Sequence, residues 1–175
     1  MAIEVLQTSL EGARLLIPDV FSDERGFFKE TYSSAKYQAL GIDDVWLQDN
    51  VSRSSRNVIR GMHGDRRMAK LVQVLFGRAW DVIVDLREGS PTYGRWEAFE
   101  LSAENHRQLY IPAGFLHGFL AQSDETILMY KQSALYDPSQ EFAINWRDPT
   151  LAISWPLDGE PIVSAKDANA PFLGR

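Results

Sequence analysis

The chain has 175 residues, 45% hydrophobic and 24% charged, with a formal net charge of −6 and no cysteine. Disulfides and thiolate chemistry are excluded, and the acidic balance argues against nonspecific nucleic-acid binding, which needs a basic face. No apolar run approaches the roughly 20 residues of a membrane span, and the first stretch, "MAIEVLQTSLEGARLL", carries Glu4 and Glu11 but no basic leader. The expectation is one cytoplasmic domain over residues 1–175, with neither membrane nor nucleic acid as partner. An anionic small ligand is compatible with this charge. A few arginines in a cleft hold a phosphate through short bidentate contacts, while distant charges are screened.

In chain order, "SDERGFFKE" reads as a turn entering a strand, with Arg25 and Glu30 on either side of two aromatics. "SSAKYQAL" predicts a short helix capped by Ser33 or Ser34 and stopped by Gly41. "KLVQVLF" and "AWDVIVDLR" are the clearest strands, and the Gly77-Arg78 link between them predicts a hairpin. In the second of these, Trp80, Val82, Val84 and Leu86 share one face; Asp81, Ile83 and Asp85 share the other. A face with two carboxylates either meets solvent or lines a polar cavity. "EGSPTYG" is a turn and "RWEAFEL" a strand. "RQLYI" and "HGFLA" are strand segments around a Pro-Ala-Gly bend, and "ETILMYKQSALY" reads as a further strand pair. The Pro-rich tail from Ile153 is expected to pack back on the rest. Many short strands with regular turn signals indicate an all-β sandwich or barrel with short peripheral helices.

Only three histidines are present, and histidine alone has an ordinary pKa near neutrality. His63 lies between Arg60 and Lys70, flanked by Gly61 and Gly64, which suits backbone bends beside a pocket. The alternative is a loop histidine with a local hydrogen bond, and Lys70 could equally be a snorkelling edge residue. His117 falls in "PAGFLHGF", which matches the Pro-x-Gly-x-x-His half-motif of cupin barrels; the other half, a His-x-His pair, is missing. His106, in "AENHRQ", reads as a solvated turn residue. Tyr130 could donate a proton or be a core tyrosine with its hydroxyl bonded. Tyr136, six residues on, shares its side only if the strand is continuous. Asp167, in "VSAKDAN", could be a helix cap.

Taken in order, "DERGFFKE", "LQDNVSRSS", "VIRGMH", "KLVQVLFG", "WDVIVDLREGSPTYG", "LSAENHRQLYIPAGFLHGF", "YKQSALY", "WRDPTLAISWP" and "SAKD" resemble the dTDP-4-dehydrorhamnose 3,5-epimerase family from about Phe21 to Asp167. The resemblance implies a metal-free, cofactor-independent cupin jelly roll, homodimeric with an exchanged strand, acting on a nucleotide-diphosphate 4-keto-6-deoxy sugar. It implies His63 as general base, Asp167 as its carboxylate partner, Lys70 beside the ketone oxygen and Tyr130 as proton donor. Arg60, Gln48, Asn50, Asp81, His117 and Tyr136 fall at ligand-pocket positions, and Arg25, Phe28 and Glu30 at nucleotide contacts reaching from the neighbouring subunit. One departure stands out. The family follows its histidine with an aromatic and a glutamine, whereas His63 is followed by Gly64-Asp65 and a loop about three residues shorter. Two other readings therefore stay open: a monofunctional 3- or 5-epimerase on a GDP- or CDP-linked sugar, and a non-catalytic sugar-nucleotide-binding cupin.

Overall fold

The structure, a computed structural model, describes residues 2–174. Two antiparallel sheets face each other. The first runs in the order β1 (Ile3–Gln7), β2 (Arg14–Pro18), β10 (Gln108–Ile111), β7 (Lys70–Phe76), β12 (Thr126–Gln132) and β5 (Gln48–Ser54). The second runs β13 (Glu141–Ala143), β6 (Val58–Asp65), β11 (Phe115–Ala121), β8 (Arg78–Asp85) and β9 (Trp96–Ser102). A short β14 (Ile162–Val163) joins β6 in parallel, and β3 (Val20–Asp23) with β4 (Gly26–Lys29) forms a separate hairpin. This is the expected cupin-type jelly-roll barrel.

The apolar residues read by alternation divide between two layers. Leu15, Val72, Leu109 and Leu128 from the first sheet meet Ile83, Leu101 and Phe119 from the second, between the sheets. Met62, Val82, Val84 and Leu116 point the other way, under a cover of Trp80, Trp96, Phe142 and Trp155. Each buried side chain of this size contributes about 1.5–3 kcal/mol, so an alternating strand that fills both layers is held in a single register. The carboxylate face of β8 meets neither solvent nor, in full, the cavity. Asp81 and Asp85 are both wholly buried. Asp85 is taken up by its own turn, accepting hydrogen bonds from Arg87, Ser90 and Thr92.

The hairpin expected at Gly77 does not form. β7 pairs with β10 and β12, β8 with β11 and β9, so the chain crosses from one sheet to the other at this point. Gly77 has φ +72°, and a Cβ there would lie 2.1 Å from the Glu125 carbonyl oxygen. The short link that resembles a hairpin turn is a corner tightened by a neighbouring backbone. "ETILMYKQSALY" likewise yields one strand. β12 ends at Gln132, where the Ser133 N–H donates to Ala69 O, and Leu135 and Tyr136 are exposed.

The helix expected after Ser33 is α1 (Ser34–Ala39); Ser33 is its N-cap and Gly41, at φ +74°, follows its end. Its Tyr37 is buried and donates to Gln108. The tail does pack back. β14 brings the one-turn α2 (Ala165–Ala168) against β6, with the Ser164 hydroxyl accepting from the Asp167 N–H at 3.1 Å.

Candidate active site

Between the sheets lies a cavity of about 500 Å³ whose lining includes Arg60, His63, Lys70, His117, Tyr130 and Asp167. Six residues from scattered stretches of the sequence thus meet at one place. Arg60, His63 and His117 come from the second sheet, Lys70 and Tyr130 from the first, and Asp167 from α2.

His63 reaches the cavity because its neighbours Met62 and Gly64 turn to the outer layer, and the irregularity in the β6–β11 pairing lets Arg60, three residues earlier, line the same cavity. Its Nε2–H donates to Asp167 Oδ1 at 2.6 Å. The second Asp167 oxygen accepts from the Gly61 N–H at 3.1 Å. Gly61 has to be glycine: φ is +128°, and a Cβ would lie 2.6 Å from Gly118 Cα. Burial alone would raise the Asp167 carboxyl, but hydrogen bonds from His63 and Gly61 and the His63 charge hold it below the usual carboxylate range. With Nε2 occupied, Nδ1 is the imidazole nitrogen left for chemistry; Glu141 Oε1 lies 3.7 Å from it.

The other groups are held as firmly. His117 Nε2 lies 2.9 Å from Asp81 Oδ2, so Asp81 sits behind His117 and serves the cavity only through it. Arg60 is pinned by bonds from Nε to Ser54 Oγ and from Nη2 to Arg53 O, both 3.0 Å. Lys70 makes no ion pair among the described residues; burial lowers its pKa, opposed by the Asp81, Glu141 and Asp65 carboxylates. Desolvation raises the Tyr130 phenol, with Arg60 opposing and Glu141 adding. The site therefore presents a free imidazole nitrogen, a phenol that stays protonated and an unpaired lysine side chain.

The remaining candidates lie outside this cavity. Gln48 and Asn50 sit on β5, where Gln48 Nε2 donates to Asn50 Oδ1 at 2.9 Å and Asn50 Nδ2 to Gln132 Oε1 at 3.0 Å. Tyr136 is beyond the end of β12, with its hydroxyl 3.5 Å from Glu141 Oε2. Arg25, Phe28 and Glu30 belong to the separate hairpin and its exit. Arg25 is bound to Asp23, Phe28 is 62% exposed, and Glu30 accepts from Lys36 at 2.6 Å. His106 is not a freely solvated turn residue: its ring packs 4.7 Å from Phe27, and its Nδ1 is buried without a partner among the described residues. Sequence reasoning missed Glu141, which also accepts from Lys166, because nothing in "PSQEFAI" marks it; only the pairing of β13 with β6 brings it to His63.

The departure after His63 has a structural reason. Gly64 pairs with Phe142 across β6 and β13, and a Cβ on Gly64 would lie 2.3 Å from Phe142 Cζ. The ring of Phe142 fills the outer-layer space over Gly64, on the side of the sheet away from the cavity. The shortened loop closes as a turn in which Arg67 donates to the buried Asp65 carboxylate at 2.8 Å. Among the described residues no group of three or more His, Asp or Glu is placed to hold a metal, and no helix is long and apolar enough to cross a membrane.

Residues 7–175 match the family model described as dTDP-4-dehydrorhamnose 3,5-epimerase. A dTDP-4-dehydrorhamnose 3,5-epimerase of Methanothermobacter thermautotrophicus is 48% identical over 94% of this chain and 91% of its own. Among solved structures, the Bacillus anthracis enzyme of that name, with TDP and pyrophosphate bound, superposes with TM-score 0.95 at 44% identity, covering 98% of this chain and 100% of its own. A 3,5-epimerase from Legionella pneumophila in complex with dTDP-4-keto-L-rhamnose gives TM-score 0.94 at 43% identity, covering 97% and 92%.

Proposed function

Because the chain belongs to the dTDP-4-dehydrorhamnose 3,5-epimerase family, and is thus a carbohydrate epimerase, we propose that it inverts C3 and C5 of a dTDP-linked 4-keto-6-deoxyhexose by proton transfer between His63 and Tyr130. The carbons beside a ketone are weakly acidic because the carbanion delocalises onto oxygen. His63 Nδ1 takes the proton, the C–H pair moves into the ring, and the ketone oxygen becomes an enolate. Asp167 holds the tautomer that leaves Nδ1 free and stabilises the imidazolium as it forms. Lys70 faces the growing charge on oxygen, a contribution of about 3 kcal/mol by comparison with other oxyanion donors. The Tyr130 phenol then protonates the same carbon from the opposite face, and solvent restores both groups. Nothing is consumed, and the substrate's own ketone is the electron sink, so no cofactor is needed.

The observation that carries this reading is the His63–Asp167 pair at 2.6 Å on the cavity wall opposite Tyr130. Arg60 is the cavity's candidate for the diphosphate. Arg25, Phe28 and Glu30 would meet the nucleotide in the neighbouring subunit of a homodimer. That arrangement is supported by the exposure of Phe21, Phe27 and Phe28 on the free hairpin, and of Val51 on β5 at the sheet edge. Because Gly64 faces away from the cavity, the departure at that position gives no reason for a different sugar or nucleotide.

The test is incubation with dTDP-4-keto-6-deoxyglucose in deuterated water. Deuterium at both C3 and C5 of an inverted product is expected. Label at one carbon only would make the enzyme monofunctional, and no label with any nucleotide ketosugar would refute the reading. Gel filtration at twice the monomer mass supports the dimer; a monomer refutes it.

A further inference from the structure

Along β5, Gln48, Asn50, Ser52 and Ser54 share the inward face. Three of them are engaged: Gln48 and Asn50 with each other and with Gln132, and Ser54 with Arg60. Ser52 is not. Its Oγ is buried, has no hydrogen-bond partner among the described residues, and lines the same cavity as His63 and Tyr130. Its cross-strand neighbour is Leu128, and Val58 and Phe119 are among the apolar residues that line the cavity with it. A buried hydroxyl left unpaired costs stability, and such a cost is offset when a ligand supplies the partner.

Resting on the epimerase reading, we propose that Ser52 is a substrate-binding residue whose hydroxyl bonds the C2 hydroxyl of the bound ketohexose. The chemistry selects this position. C4 carries the ketone, C3 and C5 are inverted, and C6 is a methyl. The C2 hydroxyl is the ring hydroxyl whose configuration the reaction leaves unchanged. A donor fixed on a strand holds it equally in substrate and product, whereas the C3 hydroxyl swings as its carbon inverts. Anchoring C2 also fixes the ring between His63 and Tyr130, where small displacements are costly.

Ser52→Ala removes no protein–protein hydrogen bond and relieves the cost of an unpaired hydroxyl, so its melting temperature should be no lower than that of the wild type. On dTDP-4-keto-6-deoxyglucose its kcat/KM should fall about tenfold, the usual effect of one lost hydrogen bond, with most of the change in KM. Its affinity for dTDP should be unchanged. On the 2-deoxy analogue of the same ketosugar, wild type and Ser52→Ala should be equal. Unaltered kinetics on the full substrate, the same loss on the 2-deoxy analogue, or weakened dTDP binding would each overturn the assignment. A wild-type enzyme that exchanges no deuterium refutes the epimerase reading instead, and the inference falls with it.

Discussion

Asp167→Asn probes the pair on which proton abstraction depends. The carboxylate lies 2.6 Å from His63 Nε2, and its side chain is 5% exposed. At an effective dielectric near 20, a full imidazolium–carboxylate pair at this separation is worth about 6 kcal/mol. The same substitution in a serine-protease triad lowers kcat about 10⁴-fold, or about 5.5 kcal/mol, chiefly by fixing the wrong tautomer. The Coulomb figure is a gross upper bound on what the pair contributes; the tautomer effect is the one that scales to this site, and the structure supplies its reason. An asparagine amide donating to Nε2 places the ring proton on Nδ1, the nitrogen that must accept. Deuterium exchange into the ketosugar should therefore fall by 10³–10⁴ with little change in KM. Exchange within tenfold of wild type would refute the tautomer argument. A stability signature accompanies it. The native carboxyl is held below its ordinary range, so the stability from its contacts is complete above about pH 4 and is lost as pH falls through the lower native value. The melting deficit of Asp167→Asn should narrow on acidification.

Tyr130→Phe keeps the base and removes the acid; it should wash deuterium into the substrate by abstraction and return on one face, while net inversion, followed by NMR, falls at least 100-fold. Lys70 is needed protonated, and burial lowers its pKa, so activity should decline on the alkaline side below the ordinary lysine value of about 10.4. Lys70→Arg, charged throughout that range, should move this decline upward in a pH–rate profile, at reduced rate. Gly64→Phe should destabilise by about 1–3 kcal/mol from overpacking against Phe142, and Gly64→Phe with Phe142→Gly should recover most of it in denaturant melts.

Much of this was legible in the chain. Period-two alternation located the strands because each face carries its own set of side chains; even in β8 and β11, which bury both faces, a one-residue slip would exchange the two layers. The helix at Ser34 and its stop at Gly41 were equally local. What failed was non-local. Gly77 looked like a hairpin turn because sequence shows the two strands and the glycine but not Glu125, whose backbone shapes the corner. The segment after Gln132 kept strand-like composition, yet β7 begins at Lys70 and offers it no further partner. Glu141 is 78 residues from His63 in sequence and neighbours it only through β13. Ser52 was invisible because an unpaired hydroxyl is recognised only when its surroundings are known. His63, Lys70, Tyr130 and Asp167 lie in scattered motifs whose residues alone left a bland reading open for each; the family resemblance implied that they act together, and the fold supplies the geometry.

The central claim is that His63 and Tyr130 address opposite faces of one sugar ring. A crystal structure with an unreactive dTDP-linked hexose bound tests it most directly. His63 Nδ1 should lie within about 3.5 Å of the hydrogen-bearing carbon on one face and the Tyr130 hydroxyl over the same carbon on the other. Both groups on one face, or a hexose seated outside the cavity, would contradict it.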